Sequence, residues 1–66
     1  MKFYYLNNNQ QSNGDYEVHT KFCTYFPLDY VELGQHNNCN DAIKIAKKIY
    51  SQVNGCFYCC RECHTS

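Results

Sequence analysis

The sequence has no tryptophan, one methionine, one proline and only nine leucine, isoleucine and valine residues. At 66 residues it is long enough for one domain. A chain of this size buries only about 60% of the surface that its unfolded form exposes. The core of such a domain supplies roughly 3–5 kcal/mol, so small scaffolds usually carry a covalent or metal staple.

The chain also lacks net charge, because six lysine and arginine residues balance six aspartate and glutamate residues. A protein that binds nucleic acid mainly through nonspecific phosphate contacts carries an excess of basic residues. Nucleic acid is therefore a possible partner here but not the favoured one. No apolar run approaches the roughly 20 residues of a membrane span. No secretory signal precedes the polar residues 7–11. We therefore expect a cytoplasmic protein, without a membrane partner, in a reducing compartment where clustered cysteines bind metal more often than they form disulfides.

Three short segments of aromatic or alternating residues predict strands at residues 2–6, 16–19 and 30–33, the first two antiparallel. The third ends at Gly34. Residues 7–15 contain the turn dipeptide Asn13-Gly14 and are expected to form a flexible loop. Residues 64–66 are expected to fray. The whole chain, residues 1–66, is predicted to be a single small domain and a monomer.

One amphipathic helix is the clearest predicted element. Its apolar stripe consists of Ala42, Ile45, Ala46, Ile49 and Val53. Asn38 or Asn40 can cap its start, Asp41 suits the positive end of its dipole, and Asn54 with Gly55 supplies a left-handed stop. The predicted fold class is therefore α+β: a two- or three-stranded antiparallel sheet packed against one helix and stapled by cysteines, similar to a zinc knuckle.

The cysteines near the C-terminus form two successive C-x-x-C motifs. Cys56 and Cys59 make the first, directly after Gly55, and Cys60 and Cys63 make the second. A C-x-x-C motif on a tight turn lets two thiolates converge on a tetrahedral metal. Neighbouring residues of an extended chain point in opposite directions, so one site is not expected to use both Cys59 and Cys60.

His19 and Cys23 form the expected other half of a site. In an extended strand they would lie about 13 Å apart, too far to share a metal whose bonds are only about 2.0–2.3 Å long. The intervening residues 20–22 must therefore curl into a turn. The predicted metal ligands are His19, Cys23, Cys56 and Cys59, and the predicted cofactor is zinc in a closed tetrahedral site.

The remaining cysteines leave several arrangements open. His36 and Cys39 could form a second metal site with Cys60 and Cys63. More simply, Cys39 at the helix start could form a disulfide with Cys63 or Cys60, or remain a free buried thiol. One zinc ion, disulfides alone and two metal ions are all compatible with the sequence, since spacing does not fix cysteine connectivity.

A resemblance to known proteins rests on residues 17–27, Leu33, Gly34, Cys39, Ala42, Ala46, residues 55–59, Cys63, His64 and Thr65. These residues resemble a family of short uncharacterised bacterial proteins, over most of the chain from Tyr16 onward. The order His-x3-Cys, helix with spaced alanines and Gly-Cys-x2-Cys is also distantly similar to the metal-binding module of the Ada DNA-repair protein. In that module a zinc-bound thiolate accepts a methyl group from DNA phosphotriesters.

The Ada resemblance implies zinc at Cys23, Cys56 and Cys59. It also implies nucleic-acid contact through Lys21, Arg61 and the helix lysines. Two features depart from Ada: His19 stands at a position that is cysteine in its all-cysteine cluster, and the net charge is zero. The resemblance therefore favours the metal more than it favours methyl transfer.

The function most consistent with the sequence is a zinc-stapled module that binds an unidentified macromolecular partner. The sequence shows no nucleophile paired with a base, no paired carboxylates and no glycine-rich phosphate loop, so we do not expect an enzyme. The alternatives are a disulfide-stapled domain, thiol chemistry at one of the C-x-x-C motifs, and an Ada-like module that contacts DNA.

Overall fold

The computed structural model describes residues 1–65, which form one mixed sheet, one α-helix and one 3-10 turn. The elements are β1 (Lys2–Asn7), β2 (Tyr16–Thr20), β3 (Tyr30–His36), α1 (Cys39–Ala46), β4 (Val53–Gly55) and the 3-10 turn (Arg61–Cys63). The strand order is β3-β1-β2-β4, and α1 packs on the sheet. The expected α+β class is confirmed.

The aromatic strand β1 lies in the middle of the sheet. It pairs antiparallel with β2, where Tyr5 stands opposite His19, and antiparallel with β3. Within residues 1–65 the sheet has four strands rather than the expected two or three, because β4 adds to β2 in parallel, with Val53 opposite Tyr16. A three-residue strand such as β4 is too short to give a periodic signal in the sequence.

Strand β3 runs further than predicted, to His36 rather than Leu33. Gly34 was expected to end it, but Gly34 instead forms part of a β-bulge, because the partners of Tyr4 and Tyr5 are Gly34 and Glu32. Its φ of 86° lies in the left-handed region, which glycine adopts without steric cost. The chain can therefore bend at Gly34 and still continue its pairing with β1.

Helix α1 begins as predicted and ends earlier. The side chain of Asn38 accepts a hydrogen bond of 3.0 Å from the backbone N–H of Asp41. The helix ends at Ala46, so the expected continuation through Ile49 and Val53 is wrong. Tyr50 is held outside the helix, because its ring stacks on Tyr16 at 3.7 Å and its hydroxyl donates to Asn8.

The core lies between α1 and one face of the sheet, and it is small. Period-two alternation points Tyr4 and Leu6 of β1 and Val18 of β2 toward the helix. The buried cluster consists of Tyr4, Leu6, Val18, Leu33, Cys39, Ala42, Ala46 and Cys60. The buried residues of α1 are Cys39, Ala42 and Ala46, and these small side chains add little apolar area. A core of this size supplies little stability, so we expect a covalent or metal staple to add to it.

The segments outside the sheet and helix also make hydrogen bonds. In residues 7–15, Gln10 Nε2 donates to the carbonyl oxygen of Gly14 at 2.8 Å. In the tail, the Thr65 N–H donates to Asn54 Oδ1 at 2.9 Å. Ser66, the last residue of the predicted frayed tail, lies outside the described residues.

No helix within residues 1–65 has the length and hydropathy of a membrane span.

Candidate metal centre

The first pair of candidate ligands lies at the end of β2. Because Val18 points into the core, the next residue, His19, points to the other face of the sheet, where it is 1% exposed. The chain then turns sharply: the Cys23 N–H donates to Thr20 O at 3.2 Å, and the Phe26 N–H donates to Cys23 O at 3.1 Å. The turn that the sequence required between His19 and Cys23 is therefore present.

The second pair follows β4. The Cys56 N–H donates to Val18 O at 2.9 Å, which continues the parallel pairing by one residue and sets Cys56 beside the end of β2. The Cys60 N–H then donates to Cys56 O at 2.9 Å and closes a turn that brings Cys59 back toward Cys56. Parallel pairing of β4 with β2 therefore delivers both C-x-x-C sulfurs to the His19 side of the sheet.

The four predicted ligand residues come together. One ligand atom from each of His19, Cys23, Cys56 and Cys59 lies within 4.8 Å of all the others. Cys23 Sγ lies 3.8 Å from Cys56 Sγ, and Cys59 Sγ lies 3.8 Å from His19 Nδ1. With Zn–S bonds of about 2.3 Å and a Zn–N bond of about 2.0–2.1 Å, a tetrahedral zinc ion separates two sulfurs by about 3.8 Å and a sulfur from a nitrogen by about 3.6 Å. The two measured edges therefore match the size of a tetrahedral zinc site.

Burial and hydrogen bonding set the thiol protonation around this cluster. Burial raises the pKa of Cys23, and it raises the pKa of Cys56 to about 12. A hydrogen bond with Cys60, together with burial, raises the pKa of Cys59. The Thr20 N–H donates to Cys59 Sγ at 3.3 Å, a contact that suits a thiolate. Without a metal these three thiols hold their protons at neutral pH, so a metal ion must displace them.

His19 has a second contact on the side away from the sulfurs. Its Nε2 is the only buried side-chain nitrogen or oxygen atom in residues 1–65 without a hydrogen-bond partner. Glu17 Oε1 lies 3.4 Å from this nitrogen. Burial raises the pKa of the Glu17 carboxyl above its ordinary value. The sequence interpretation missed Glu17, although two residues of spacing in a strand places Glu17 and His19 on one face.

The other cysteines have separate roles. A disulfide joins Cys39 at the start of α1 to Cys63, with their Cα atoms 6.3 Å apart. This is one of the arrangements the sequence left open, and it removes both sulfurs from a second metal site. Cys60 is a free thiol buried in the core, and its hydrogen bond with Cys59 lowers its pKa.

The histidines outside the cluster make backbone contacts instead. His36 Nε2 lies 2.6 Å from Leu33 O. His64 Nδ1 lies 2.9 Å from Gly55 O. Both contacts are local, and neither histidine belongs to the group of candidate metal ligands found within residues 1–65.

A shallow cleft of about 220 Å³ opens beside the cluster. Its lining includes Glu17, His19 and Cys56, together with the aromatic side chains of Tyr25 and Tyr58. The two tyrosine rings lie 4.6 Å apart, so they connect the turn that carries Cys23 with the turn that carries Cys56 and Cys59. This ring contact therefore helps to hold the two ligand-bearing turns together.

Comparison of this chain with protein-family models, with curated proteins and with solved structures gives no match. The site is therefore interpreted from its own geometry and chemistry.

Proposed function

We propose that His19, Cys23, Cys56 and Cys59 bind one zinc ion, and that this ion is the main staple of a small non-enzymatic binding module. The observation that carries the proposal is the convergence of four ligand atoms within 4.8 Å of one another. They come from two segments of the chain, the end of β2 with the turn after it and the turn after β4, in which Cys23 and Cys56 are separated by 33 positions.

The donor set favours zinc over the other common metals. Three thiolates and one imidazole are soft and borderline donors, which suit zinc, whereas calcium and magnesium need oxygen ligands. Four protein ligands complete a tetrahedral shell. Catalytic zinc sites keep an open position for water, while structural sites are closed. A structural role therefore fits this set better than a catalytic one.

The position of the ligands explains what the ion would stabilise. It would tie the end of β2 to the turn after β4, on the sheet face opposite α1. Structural zinc sites contribute about 10–16 kcal/mol of apparent binding free energy at neutral pH, far more than a core of this size supplies. The Cys39–Cys63 disulfide fastens the other side, where the helix start meets the C-terminal segment.

Exposed aromatic side chains on the ligand turns support a role in binding a macromolecule. Tyr25 is 56% exposed, Phe57 46% and Tyr58 66%, and the guanidinium of Arg61 lies 5.1 Å from the Phe57 ring centroid. Tyrosine, phenylalanine and arginine are enriched at protein interfaces. Within this proposal Cys23, Cys56 and Cys59, which are free thiols, bind zinc, while Cys39 and Cys63 are joined in a disulfide.

The test compares two neighbouring cysteines. Cys59→Ser removes a proposed ligand, and Cys60→Ser changes the adjacent buried thiol that lies outside the ligand set. Native mass spectrometry of zinc-loaded protein with the Cys39–Cys63 disulfide intact is expected to show one zinc ion in the wild type and in Cys60→Ser, and a loss of zinc from Cys59→Ser at the same chelator concentration. Equal zinc content in both variants would contradict the ligand assignment.

A further inference from the structure

A second surface of the molecule combines two exposed phenylalanines with lysines. Phe22 lies in the turn between His19 and Cys23 and is 91% exposed, and Phe3 on β1 is 43% exposed. They line a groove of about 310 Å³ together with Met1, Lys2, Thr20 and Lys21. A single exposed apolar side chain is ordinary, but Phe22 and Phe3 line the same groove and so form a contiguous exposed aromatic surface.

The charge of this groove differs from that of the whole chain. Although the net charge is zero, the charged side chains that line the groove are Lys2 and Lys21, and no acidic side chain of residues 1–65 lines it. Lys21 Nζ lies 5.4 Å from the ring centroid of Phe3 and 5.7 Å from that of Phe22. One ammonium group therefore lies close to two aromatic rings that solvent can reach.

We infer that this groove binds single-stranded nucleic acid. A base would stack on the Phe22 ring, a second base would contact Phe3, and the backbone phosphates would pair with Lys21 and Lys2. Aromatic faces that alternate with ammonium groups match a strand in which flat bases alternate with anionic phosphates. Duplex DNA offers the phosphates but not free base faces, so the exposed rings favour a single strand.

Other anionic partners match the groove less well. A membrane surface needs a continuous apolar area, and here the charged Lys21 ammonium lies close to both rings. An acidic peptide offers carboxylates but no regular series of flat rings. The Phe22 part of the inference rests on the proposed metal site, because His19 and Cys23 hold the turn that presents Phe22. Phe3 and Lys2 belong to β1, so their positions depend on the metal only through the stability of the fold as a whole.

The test measures fluorescence anisotropy of a labelled oligothymidine of about 12 nucleotides with the zinc-loaded full chain. Phe22→Ala is expected to weaken binding about tenfold or more, as base stacking on an aromatic side chain predicts. Lys21→Gln is expected to lower the slope of log affinity against log salt concentration by about 0.7, the loss of one phosphate contact. The matched controls are Leu28→Ala, which removes a fully exposed apolar side chain outside the groove, and Lys48→Gln beyond the end of α1. Both controls should bind like the wild type.

Several results would overturn the inference. Absence of an anisotropy change at low salt would do so, and so would equal losses in Phe22→Ala and Leu28→Ala. Tighter binding to a duplex of the same sequence, to phosphatidylserine vesicles or to an acidic peptide would assign the groove to another partner. Zinc content is measured in the same samples. A wild type that binds no zinc contradicts the proposed function. Zinc-loaded protein that does not bind the oligonucleotide contradicts this inference alone.

Discussion

The carboxylate of Glu17 lies 3.4 Å from Nε2 of His19, while Nδ1 of the same ring faces Cys59 Sγ at 3.8 Å. The imidazole therefore stands between a carboxylate and a sulfur cluster. If Nδ1 binds a metal, the ring proton must sit on Nε2, where Glu17 is the available acceptor. Metal-binding histidines commonly have such a carboxylate partner, which fixes the tautomer and the ring orientation.

Removal of this carboxylate should weaken zinc binding. Loss of an outer-shell partner typically costs about 10–100-fold in metal affinity, so Glu17→Ala is expected to lie in that range. Glu17→Gln should lose less, because the amide oxygen can still accept the Nε2 proton. The measurement is competition against a chromophoric chelator, with Glu32→Ala, an exposed glutamate on β3, as the control. An affinity of Glu17→Ala equal to that of Glu32→Ala would show that Glu17 does not position His19.

Zinc binding should release protons and depend steeply on pH. The pKa values of Cys23, Cys56 and Cys59 are all raised in the metal-free protein, that of Cys56 to about 12. These thiols are therefore protonated at neutral pH, so binding becomes stronger as pH rises and weaker as it falls. With all three as ligands the apparent affinity should change by about three powers of ten per pH unit below the thiol pKa values.

Isothermal titration calorimetry in buffers of different ionisation enthalpy counts the released protons. About three are expected for the wild type and about two for Cys56→Ser. A count near zero in the wild type would mean that the thiols are not the ligands.

The Cys39–Cys63 disulfide should stabilise the fold without affecting the metal ligands. It closes a loop across 24 positions of sequence, which corresponds to about 3 kcal/mol of stability in the chain-entropy description. The double variant Cys39→Ala/Cys63→Ala is therefore expected to melt at least about 10 °C lower in a calorimeter. Its zinc affinity in the folded state should stay that of the wild type. A large loss of affinity would place one of these sulfurs in the metal site.

The grouping of His19, Cys23, Cys56 and Cys59 could be predicted from the sequence because the restraint on these residues is local and chemical. His19 and Cys23 need a turn between them, and Cys56 and Cys59 follow the C-x-x-C spacing, so short zinc bonds limit the choices. The structure brings all four together. The choice between Cys60 and Cys63 as the partner of Cys39 was not predictable, since it depends on how the C-terminal segment crosses the helix start.

The end of the helix was mispredicted for a related reason. Ile49 and Val53 continue the helical spacing of α1, and that pattern also suits a turn followed by a strand. In the structure Val53 pairs with Tyr16 in the sheet, so the chain forms the turn and strand rather than more helix. A parallel pair between residues 37 positions apart gives no periodic signal in the local sequence. Tertiary contacts therefore override the periodicity at this point.

Gly55 has a different role from the one its sequence suggests. It was expected to adopt a left-handed helix stop, but it lies in β4, where a Cβ atom would stand 2.8 Å from Cys60 O and 2.8 Å from Cys63 Cβ. Gly55→Ala should therefore displace the C-terminal turn and cost about 1–3 kcal/mol of stability. Denaturant unfolding measures this loss, with Ser51→Ala, an exposed position before β4, as the control. An unchanged midpoint would show that the turn can move freely.

The central claim is that a metal ion at His19, Cys23, Cys56 and Cys59 holds this small core in one fold. The most direct measurement is the amide spectrum and the thermal melt of the protein before and after chelation, with the Cys39–Cys63 disulfide kept intact. The account predicts that chelation collapses the amide dispersion and removes the cooperative melt, and that one equivalent of zinc restores both. A dispersed spectrum and a cooperative melt that survive in metal-free protein would contradict it.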